Sequence, residues 1–348
     1  MSEIETLICG PCSAETEEQV FETAKALCGI LRPDGKRYVS AYRAGLWKPR
    51  THPGSFQGVG ERGIPWLVRV QKELGMKVIV EVAKPAHIDA VLSAGIDMIW
   101  IGTRTTTNSF AMQDLCDVLR GVDVPVFVKN PVNPDLELWI GAIERLQRAG
   151  IKHITAVHRG FSYYEKSKYR NIPKWQVPID LMQRMPQIPI ICDPSHIAGD
   201  KAYVAEISQK AMDLGFKGLF IESHICPDKA LSDAKQQLTP SELASMLDAL
   251  EVRSESSESA DYLAAVDHIR AHIDVIDDNI LELIASRMRL VDEIGRYKKE
   301  NNITVLQPRR WESVLNKAIA GAGERGLDKK FVEELFKLIH QASIDRQS

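Results

Sequence analysis

Long apolar runs are absent from this 348-residue sequence, and none approaches the ~18 residues that a membrane-spanning helix needs. The opening residues, Met1-Ser-Glu-Ile-Glu5, also lack the basic and apolar regions of a signal peptide. We therefore expect a cytoplasmic protein with no membrane partner.

Cysteine is scarce as well. Six cysteines in a chain of this length are too few for a disulfide scaffold, and the expected compartment would keep them reduced. Cys9-Gly-Pro-Cys12 resembles a thioredoxin redox motif, but it ends a predicted strand instead of opening a helix. A redox protein that uses Cys9 and Cys12 stays an alternative, and it predicts loss of function on Cys9→Ser.

The sequence has no excess of basic charge. Its net charge is −3 with 26% charged residues, so we expect no nucleic-acid partner, and cations that bind ligands must be clustered locally. One such cluster is Arg43-Ala-Gly-Leu-Trp-Lys-Pro-Arg-Thr51, in which three cations occur without an acid. Arginine and lysine in this density favour phosphate or carboxylate ligands. The alternative is a solvated basic loop.

Short β-rich runs recur along residues 1–250, and an amphipathic helical stretch follows each of them. This alternation is typical of a parallel sheet with helical crossovers. Eight units favour a (β/α)8 barrel over an open doubly wound sheet, because no Gly-x-Gly-x-x-Gly turn is present. The predicted strands are Thr6–Gly10, Tyr38–Tyr42, Lys77–Val82, Met98–Gly102, Val124–Val128, Ile151–Val157, Ile188–Cys192 and Gly218–Ile221.

Catalytic groups of such barrels lie at the C-terminal ends of the strands. Every predicted strand is followed there by a charged or metal-binding residue, and these residues fall into two chemical sets. The cationic set suits small anionic ligands and comprises Arg43, Lys48, Arg104, Lys129 and Arg159. The second set offers sulfur, nitrogen and oxygen ligands to a divalent Mn, Fe, Co or Zn ion and comprises Cys12, His196, Glu222 and Asp233. A core cysteine, a capping aspartate and a buried histidine remain the alternative for this second set.

Motifs at these strand ends resemble 3-deoxy-D-arabino-heptulosonate 7-phosphate (DAHP) synthase of the type I-beta branch. The motifs are Gly10-Pro-Cys-Ser13, Lys48-Pro-Arg-Thr51, Ile101-Gly-Thr-Arg104, Lys129-Asn130, His158-Arg-Gly160, Asp193-Pro-Ser-His196, Ile221-Glu-Ser-His224 and Ala230-Leu-Ser-Asp233. The resemblance implies a metal-dependent, aldol-like condensation of phosphoenolpyruvate (PEP) with erythrose 4-phosphate. It also implies that the metal ligands are Cys12, His196, Glu222 and Asp233.

The same resemblance assigns the substrate contacts. PEP would be bound by Arg43, Lys48, Arg104, Lys129 and Arg159, and erythrose 4-phosphate by Lys48, Pro49, Arg50 and Thr51, with Arg104 shared. Lys48 is a candidate proton shuttle. A sister enzyme that makes the eight-carbon sugar acid phosphate shares the barrel but lacks Lys-Pro-Arg-Thr, so this loop favours the four-carbon aldose.

A polar stretch rich in serine and glutamate, residues 251–259, predicts a solvated linker, and no strand pattern follows it. The pattern of the remaining residues, 260–348, predicts a small all-α domain of three helices: Ala260–Lys299, Pro308–Ala320 and Asp328–Gln347. The first helix would be roughly 60 Å long, at ~1.5 Å per residue. A helix of this length cannot bury its apolar face within so small a domain, so we expect an intertwined dimer or a tetramer.

An apolar stripe on the long helix has Arg287 in its middle, and Lys298 lies on the same face. A cation in such a stripe is costly unless an anion meets it. These residues, together with Ile269-Arg270, Pro308-Arg-Arg310, Ser343 and Gln347, resemble an all-helical chorismate mutase.

The mutase resemblance implies rearrangement of chorismate to prephenate. Arg287 and Arg310 would bind the carboxylates of chorismate, and Arg270 would reach in from the other subunit. Lys298 and Gln347 would hold the ether oxygen. Ser343 is the remaining residue that the resemblance assigns to the chorismate site. Family members often place an acid where Gln307 and Trp311 stand, so the contact to the substrate hydroxyl is left open. We also expect feedback inhibition by prephenate through this domain. A non-catalytic sensor and dimerisation module is the alternative.

Overall fold

The chain folds into two units, Met1–Glu255 and Ser256–Ser348. The computed structural model describes residues 4–48, 54–164, 167–254 and 256–347. Among these residues, no helix combines the length and the apolar character that crossing a membrane requires.

Eight parallel strands close into a barrel in the first unit, because each strand pairs with the next and the last pairs with the first. The (β/α)8 prediction is therefore confirmed. The second strand begins three residues later than predicted, at the point where Ala41 comes into register with Ile8 of the first strand. The strands are β1 (Thr6–Gly10), β2 (Ala41–Arg43), β3 (Lys77–Val82), β4 (Met98–Ile101), β5 (Val126–Lys129), β6 (Ile154–His158), β7 (Ile190–Cys192) and β8 (Gly218–Glu222).

Helices connect the strands, and the main apolar core lies between the two layers. Residues such as Leu7, Val80 and Leu219 enter this core from the strands, and Leu27, Leu67 and Ile143 enter it from the helices. The helices are α1 (Glu17–Cys28), α2 (Ile64–Leu74), α3 (Pro85–Ser93), α4 (Thr103–Thr107), α5 (Ser109–Val118), α6 (Leu136–Arg148), α7 (Gln176–Arg184), α8 (Pro194–Ala198), α9 (Val204–Asp213) and α10 (Pro240–Ala249). The sequence did not predict α4 and α8, since five residues are too few to show helical periodicity.

A second apolar cluster fills the barrel interior and forms a floor below the C-terminal ends of the strands. Its members are Ile8, Ala41, Ile79, Met98, Trp100, Phe127, Val157, Ile191 and Phe220. Side chains alternate along a strand, so the residue two positions later also faces inward. Two positions beyond members of this cluster lie Arg43, Glu81, Lys129, Arg159, Asp193 and Glu222. The alternation therefore stacks a charged layer directly on the apolar floor, at the C-terminal end of the barrel.

Close packing of β1 on β2 depends on Gly10. Its φ is +151°, and a Cβ atom built at this position would lie 2.0 Å from the carbonyl oxygen of Arg43. A side chain at residue 10 would push apart the strand ends that carry Cys12 and Arg43.

The second unit consists of three helices, α11 (Ala260–Glu300), α12 (Pro308–Glu324) and α13 (Lys329–Gln347), with α13 packed against the other two. The helical prediction for this region is confirmed. The sequence predicts that the second helix ends at Ala320, but α12 continues for four more residues through two glycines. Ala322 is buried, and this packing outweighs the low helix propensity of glycine.

Candidate functional site

A cavity of 420 Å³ opens at the C-terminal end of the barrel. All five cations that the sequence assigns to PEP line it, namely Arg43, Lys48, Arg104, Lys129 and Arg159. Glu81, Arg170, His196 and Asp233 line it too. Pro49, Arg50 and Thr51, predicted to bind erythrose 4-phosphate, lie outside the described residues.

Two cations of the cavity rest on the aromatic floor of the barrel. The Arg43 guanidinium lies 4.6 Å from the Phe220 ring centroid and 5.0 Å from that of Trp100. Nζ of Lys129 lies 4.8 Å from the Phe220 centroid. The faces of aromatic rings are negative, so these contacts offset part of the cost of burying two cations side by side.

Arg43 is almost completely buried, and its hydrogen bonding is incomplete. Nη2 donates to Oε1 of Glu222 over 2.9 Å. Nε and Nη1 are buried and have no partner among the residues that the structure describes. Buried donors are nearly always paired, so these two nitrogen atoms are free to donate to a ligand oxygen.

Asp193 joins the cationic and the metal-binding halves of the cavity. Its Oδ2 accepts a hydrogen bond from Nζ of Lys129 over 2.6 Å and lies 2.8 Å from Nδ1 of His196. Its Oδ1 accepts from the backbone N–H of His196 over 3.0 Å, because Asp193 caps the short helix α8. Burial opposes ionisation of Asp193, but His196 and Lys129 hold its pKa well below the usual range. Burial also lowers the pKa of Lys129, and Asp193 counteracts this shift.

The long connection between β6 and α7 orients Arg159. Nη1 of Arg159 donates to Oδ1 of Asn171 over 2.7 Å, and Asn171 in turn donates to the carbonyl oxygen of His196. Burial lowers the pKa of Arg159 to about 10, which leaves it cationic at neutral pH. Arg170, which precedes Asn171 in the chain, donates to Asp233 over 3.1 Å and to Gln236 over 2.9 Å.

Three of the four predicted metal ligands converge beside these cations. The ligand atoms of Cys12, Glu222 and Asp233 all lie within 4.8 Å of one another. His196 is adjacent, with its Nε2 atom 3.7 Å from Oε1 of Glu222. The Cys12 thiol donates to Oδ2 of Asp233 over 3.4 Å and accepts from Nζ of Lys48 over 3.1 Å.

The electrostatics of this group match a cation site. Burial, with a further contribution from Glu222, raises the pKa of the Cys12 thiol to about 12. Burial lowers the pKa of Lys48, but Cys12 and the carboxylates of Glu81 and Glu222 outweigh this effect and raise that pKa overall. A thiol, two carboxylates and an imidazole are a mixed donor set that suits Mn, Fe, Co or Zn. The residues therefore fit a divalent ion, and a bound ion would favour the thiolate form of Cys12.

Sequence reasoning assigned no role to Asp193, Arg170, Asn171 or Gln236. Asp193 directly follows β7, so the rule on strand ends would have found it. Arg170, Asn171 and Gln236 lie far along loops, where no periodic pattern predicts their position. Gln236 is fully buried, and its Nε2 donates to Oε2 of Glu222 over 2.7 Å.

The helical unit brings a second group of predicted residues together. Nη1 of Arg287 donates to Oγ of Ser343 over 2.6 Å. Nζ of Lys298 donates to Oε1 of Gln347 over 2.9 Å and to the carbonyl oxygen of Val305 over 2.6 Å. These contacts connect Arg287 and Lys298 of α11 to Ser343 and Gln347, which lie one turn apart on α13.

The other two predicted cations of this unit, Arg270 and Arg310, are exposed. Arg270 lies on α11, where its nearest acid is Asp267 at 3.7 Å. Arg310 lies in the first turn of α12. Trp311, next to it, stacks on His340 of α13 with 3.9 Å between ring centroids and 4° between ring planes.

Comparison with known families gives two matches along the chain. The model of the DAHP synthetase I family matches residues 3–258, and the model of chorismate mutase type II matches residues 269–348. The first match covers the barrel, and the second begins within α11 and covers the rest of the helical unit.

Individual relatives match the barrel region. The chain is 33% identical over 233 residues to phospho-2-dehydro-3-deoxyheptonate aldolase of Thermotoga maritima, which covers 67% of this chain and 65% of the relative. It is 30% identical over 257 residues to 2-dehydro-3-deoxyphosphooctonate aldolase of Desulfatibacillum aliphaticivorans, 69% of this chain and 89% of the relative. The chain thus spans just under two thirds of the length of the Thermotoga relative.

Solved structures agree with these matches. The crystal structure of the Thermotoga maritima DAHP synthase aligns with a TM-score of 0.61 and 30% identity, over 70% of this chain and 67% of that chain. A truncated form of that synthase aligns with a TM-score of 0.59 and 28% identity, over 70% and 84% of the two chains.

Proposed function

The chain belongs to the DAHP synthetase I family and carries a chorismate mutase type II domain, and from this membership we propose that it catalyses two reactions. The barrel condenses PEP with erythrose 4-phosphate to DAHP and inorganic phosphate. The helical domain rearranges chorismate to prephenate.

The observation that supports the condensation most strongly is the charge arrangement of the barrel cavity. Five cations line one space of 420 Å³, and buried donors of Arg43 lack a partner among the described residues. Two phosphorylated substrates repel each other, and a set of fixed cations offsets this repulsion while it orients both molecules. Arg43, Lys129 and Arg159 would hold PEP with its C3 atom toward the aldehyde.

Cys12, His196, Glu222 and Asp233 would hold one divalent ion of unassigned identity. Such an ion, when bound, supplies Lewis-acid polarisation of the aldehyde oxygen. C3 of PEP then forms a bond with the aldehyde carbon, and water adds to C2, where positive charge develops. The added water loses one proton, and cleavage of the C–O bond to phosphate at C2, with loss of the remaining hydroxyl proton, gives the C2 ketone and releases inorganic phosphate. Lys48, 3.1 Å from the Cys12 sulfur, is placed to supply the proton for the new hydroxyl.

Choice of the sugar phosphate rests on the loop that begins at Lys48. Relatives named for the seven-carbon and for the eight-carbon product both match this barrel, so the fold does not choose between them. In Lys48-Pro-Arg-Thr51, a proline and a second cation directly follow Lys48, which lines the cavity. We propose that this loop selects erythrose 4-phosphate over a five-carbon sugar phosphate.

The mutase reaction needs no proton transfer, only a compact substrate conformer and cations facing the ether oxygen. Lys298 and Gln347 would hold that oxygen, and Arg287 with Arg310 would hold the carboxylates. Arg270 would come from the other subunit of a homo-oligomer. The same domain would mediate feedback inhibition by prephenate, whereas the alternative gives it a sensor role without turnover.

Replacement of Cys12 tests the metal-dependent condensation. Cys12→Ala should lose bound metal and condensation activity together, measured as metal content and PEP consumption of the full chain. Cys9→Ala is the matched control, because Cys9 is equally buried but packs in the core between strands and helices. An active, metal-free Cys12→Ala protein would refute the metal assignment, and loss of activity in Cys9→Ala would favour the redox alternative.

A further inference from the structure

One side chain of the helical unit faces the Arg287–Lys298 group and has no role in the reaction described above. His340 precedes Ser343 by three residues and Gln347 by seven on α13. At 100° per residue, it lies within about 60° of both on the helix surface. Since Ser343 and Gln347 contact Arg287 and Lys298, the spacing directs His340 to the same side of α13.

Electrostatics agree with this direction. Partial burial lowers the pKa of His340, and the charges of Arg287 and Lys298 lower it further. The imidazole is therefore neutral at pH 7, with one nitrogen that donates and one that accepts a hydrogen bond.

Trp311 fixes the plane of this imidazole. The two rings stack at 3.9 Å with 4° between their planes, which ties α13 to the first turn of α12 beside Arg310. Because the stack restricts rotation of the His340 ring, the edge of the ring that carries its nitrogen atoms has a defined direction. Trp311 itself stands where the resemblance expected an acid to meet the substrate hydroxyl.

We propose that His340, held by Trp311, binds the ring hydroxyl of chorismate and makes the mutase site select for it. The proposal rests on the mutase function proposed above. The cations face the carboxylates and the ether oxygen of the substrate, whereas the hydroxyl needs a neutral partner that donates and accepts. His340 meets this requirement at the edge of the cation group.

The test compares chorismate with its analogue that lacks the ring hydroxyl, using the full-length protein. Wild type should turn over chorismate with a kcat/KM about 10- to 100-fold higher than that of the analogue, the range of one good hydrogen bond. His340→Leu should lose about this factor on chorismate and change little on the analogue. His340→Asn, which keeps a donor and an acceptor, should recover part of the loss. Gln341→Leu, an exposed neighbour on the same helix, is the control.

The outcomes separate the possible failures. Equal losses on both substrates in His340→Leu would mean that the stack serves packing alone, and the proposal would be wrong. Equal wild-type rates on both substrates would overturn it without any variant, even if His340→Leu did not fold. A wild-type protein that converts neither substrate, while it still condenses PEP, would instead overturn the mutase function and this proposal with it.

Discussion

At the scale of single residues, buried charge pairs carry much of the barrel's chemistry. Arg43 with Glu222, and Lys129 with Asp193, are ion pairs in which each side chain is less than one tenth exposed. Burying charges is costly, and removing one partner leaves the other without compensation. Replacing one member of either pair should therefore destabilise the barrel more than replacing a surface charge.

Asp193→Asn keeps the size of the side chain but removes its charge from Lys129 and His196. We expect the free energy of unfolding to fall by about 3 kcal/mol, the usual cost of breaking a buried pair. The KM for PEP should rise too, because a buried lysine without its acid tends to lose its proton. Denaturant unfolding and steady-state kinetics measure both effects.

Glu73→Gln is the matched control for this change. Glu73 pairs with Arg69 at 2.8 Å on the exposed face of α2, where an ion pair contributes at most about 1 kcal/mol. Similar losses in Asp193→Asn and Glu73→Gln would show that the Lys129–Asp193 pair is no more important than a surface pair.

His158 gives the barrel an acid-sensitive point. The ring is fully buried among aromatic side chains that include Trp175 and Phe161, and burial lowers its pKa to about 3. The unfolded chain binds a proton near pH 6.5. Its contribution to stability is thus present above pH 6.5 and is lost as the pH falls toward 3.

His158→Phe should remove this loss. Between pH 7.5 and pH 4.5 the wild-type barrel should lose stability on the order of 2 kcal/mol more than the variant does, measured by denaturant unfolding at both pH values. The exposed His268→Phe on α11 is the control and should follow wild type. Parallel pH curves for wild type and His158→Phe would contradict the assignment.

At the scale of elements, the strands of the barrel could be predicted and several loops could not. Strands β1 and β3 occupy the predicted residues, because their apolar runs are bounded by turns. The residue two positions after an inward-facing apolar residue also faces inward, and this rule locates Arg43, Lys129 and Glu222 from the sequence alone. Arg170 and Asn171 could not be found, since they lie eleven and twelve residues beyond Arg159 in a connection without periodicity.

The long helix α11 presents an exposed apolar surface. Nine of its large apolar side chains are 48–71% exposed, namely Ile269, Ile273, Val275, Ile276, Ile280, Leu281, Leu283, Leu290 and Ile294. Surfaces of this kind usually lie in protein–protein interfaces. This is the observation behind the proposed homo-oligomer.

Leu283→Asp should therefore prevent self-association, because an unpaired carboxylate in an apolar interface is strongly unfavourable. Light scattering of the full-length protein should give the monomer mass, and mutase activity should fall with it, since Arg270 could no longer reach a partner. Glu282→Ala, next to it, is the control and should keep the wild-type mass. An oligomer of unchanged mass and mutase rate in Leu283→Asp would contradict the prediction.

At the scale of the whole molecule, two family domains share one chain, and the candidate site of each contains arginine and lysine side chains. The residues of each site come from a single unit, Met1–Glu255 or Ser256–Ser348. The two activities should therefore be separable by single substitutions. What the sequence cannot predict is coupling between the units, because coupling depends on contacts that have no local sequence pattern.

Arg287→Ala tests separation and coupling together. The variant should lose mutase turnover by about 100-fold or more, through loss of a charge-assisted contact, while condensation continues at the wild-type rate. Prephenate should inhibit condensation by wild type and not by Arg287→Ala. Arg289→Ala, whose exposed side chain contacts Ser286, is the control. Persistent inhibition of Arg287→Ala by prephenate would place feedback outside the mutase site.

The proposed reaction of the barrel joins PEP to a four-carbon sugar phosphate. The most direct measurement is the initial rate of PEP consumption by metal-loaded, full-length protein with erythrose 4-phosphate and, separately, with arabinose 5-phosphate. We predict stoichiometric release of phosphate with the four-carbon substrate and a rate about tenfold or more lower with the five-carbon one. A faster reaction with arabinose 5-phosphate, or no reaction with either sugar, would contradict the account.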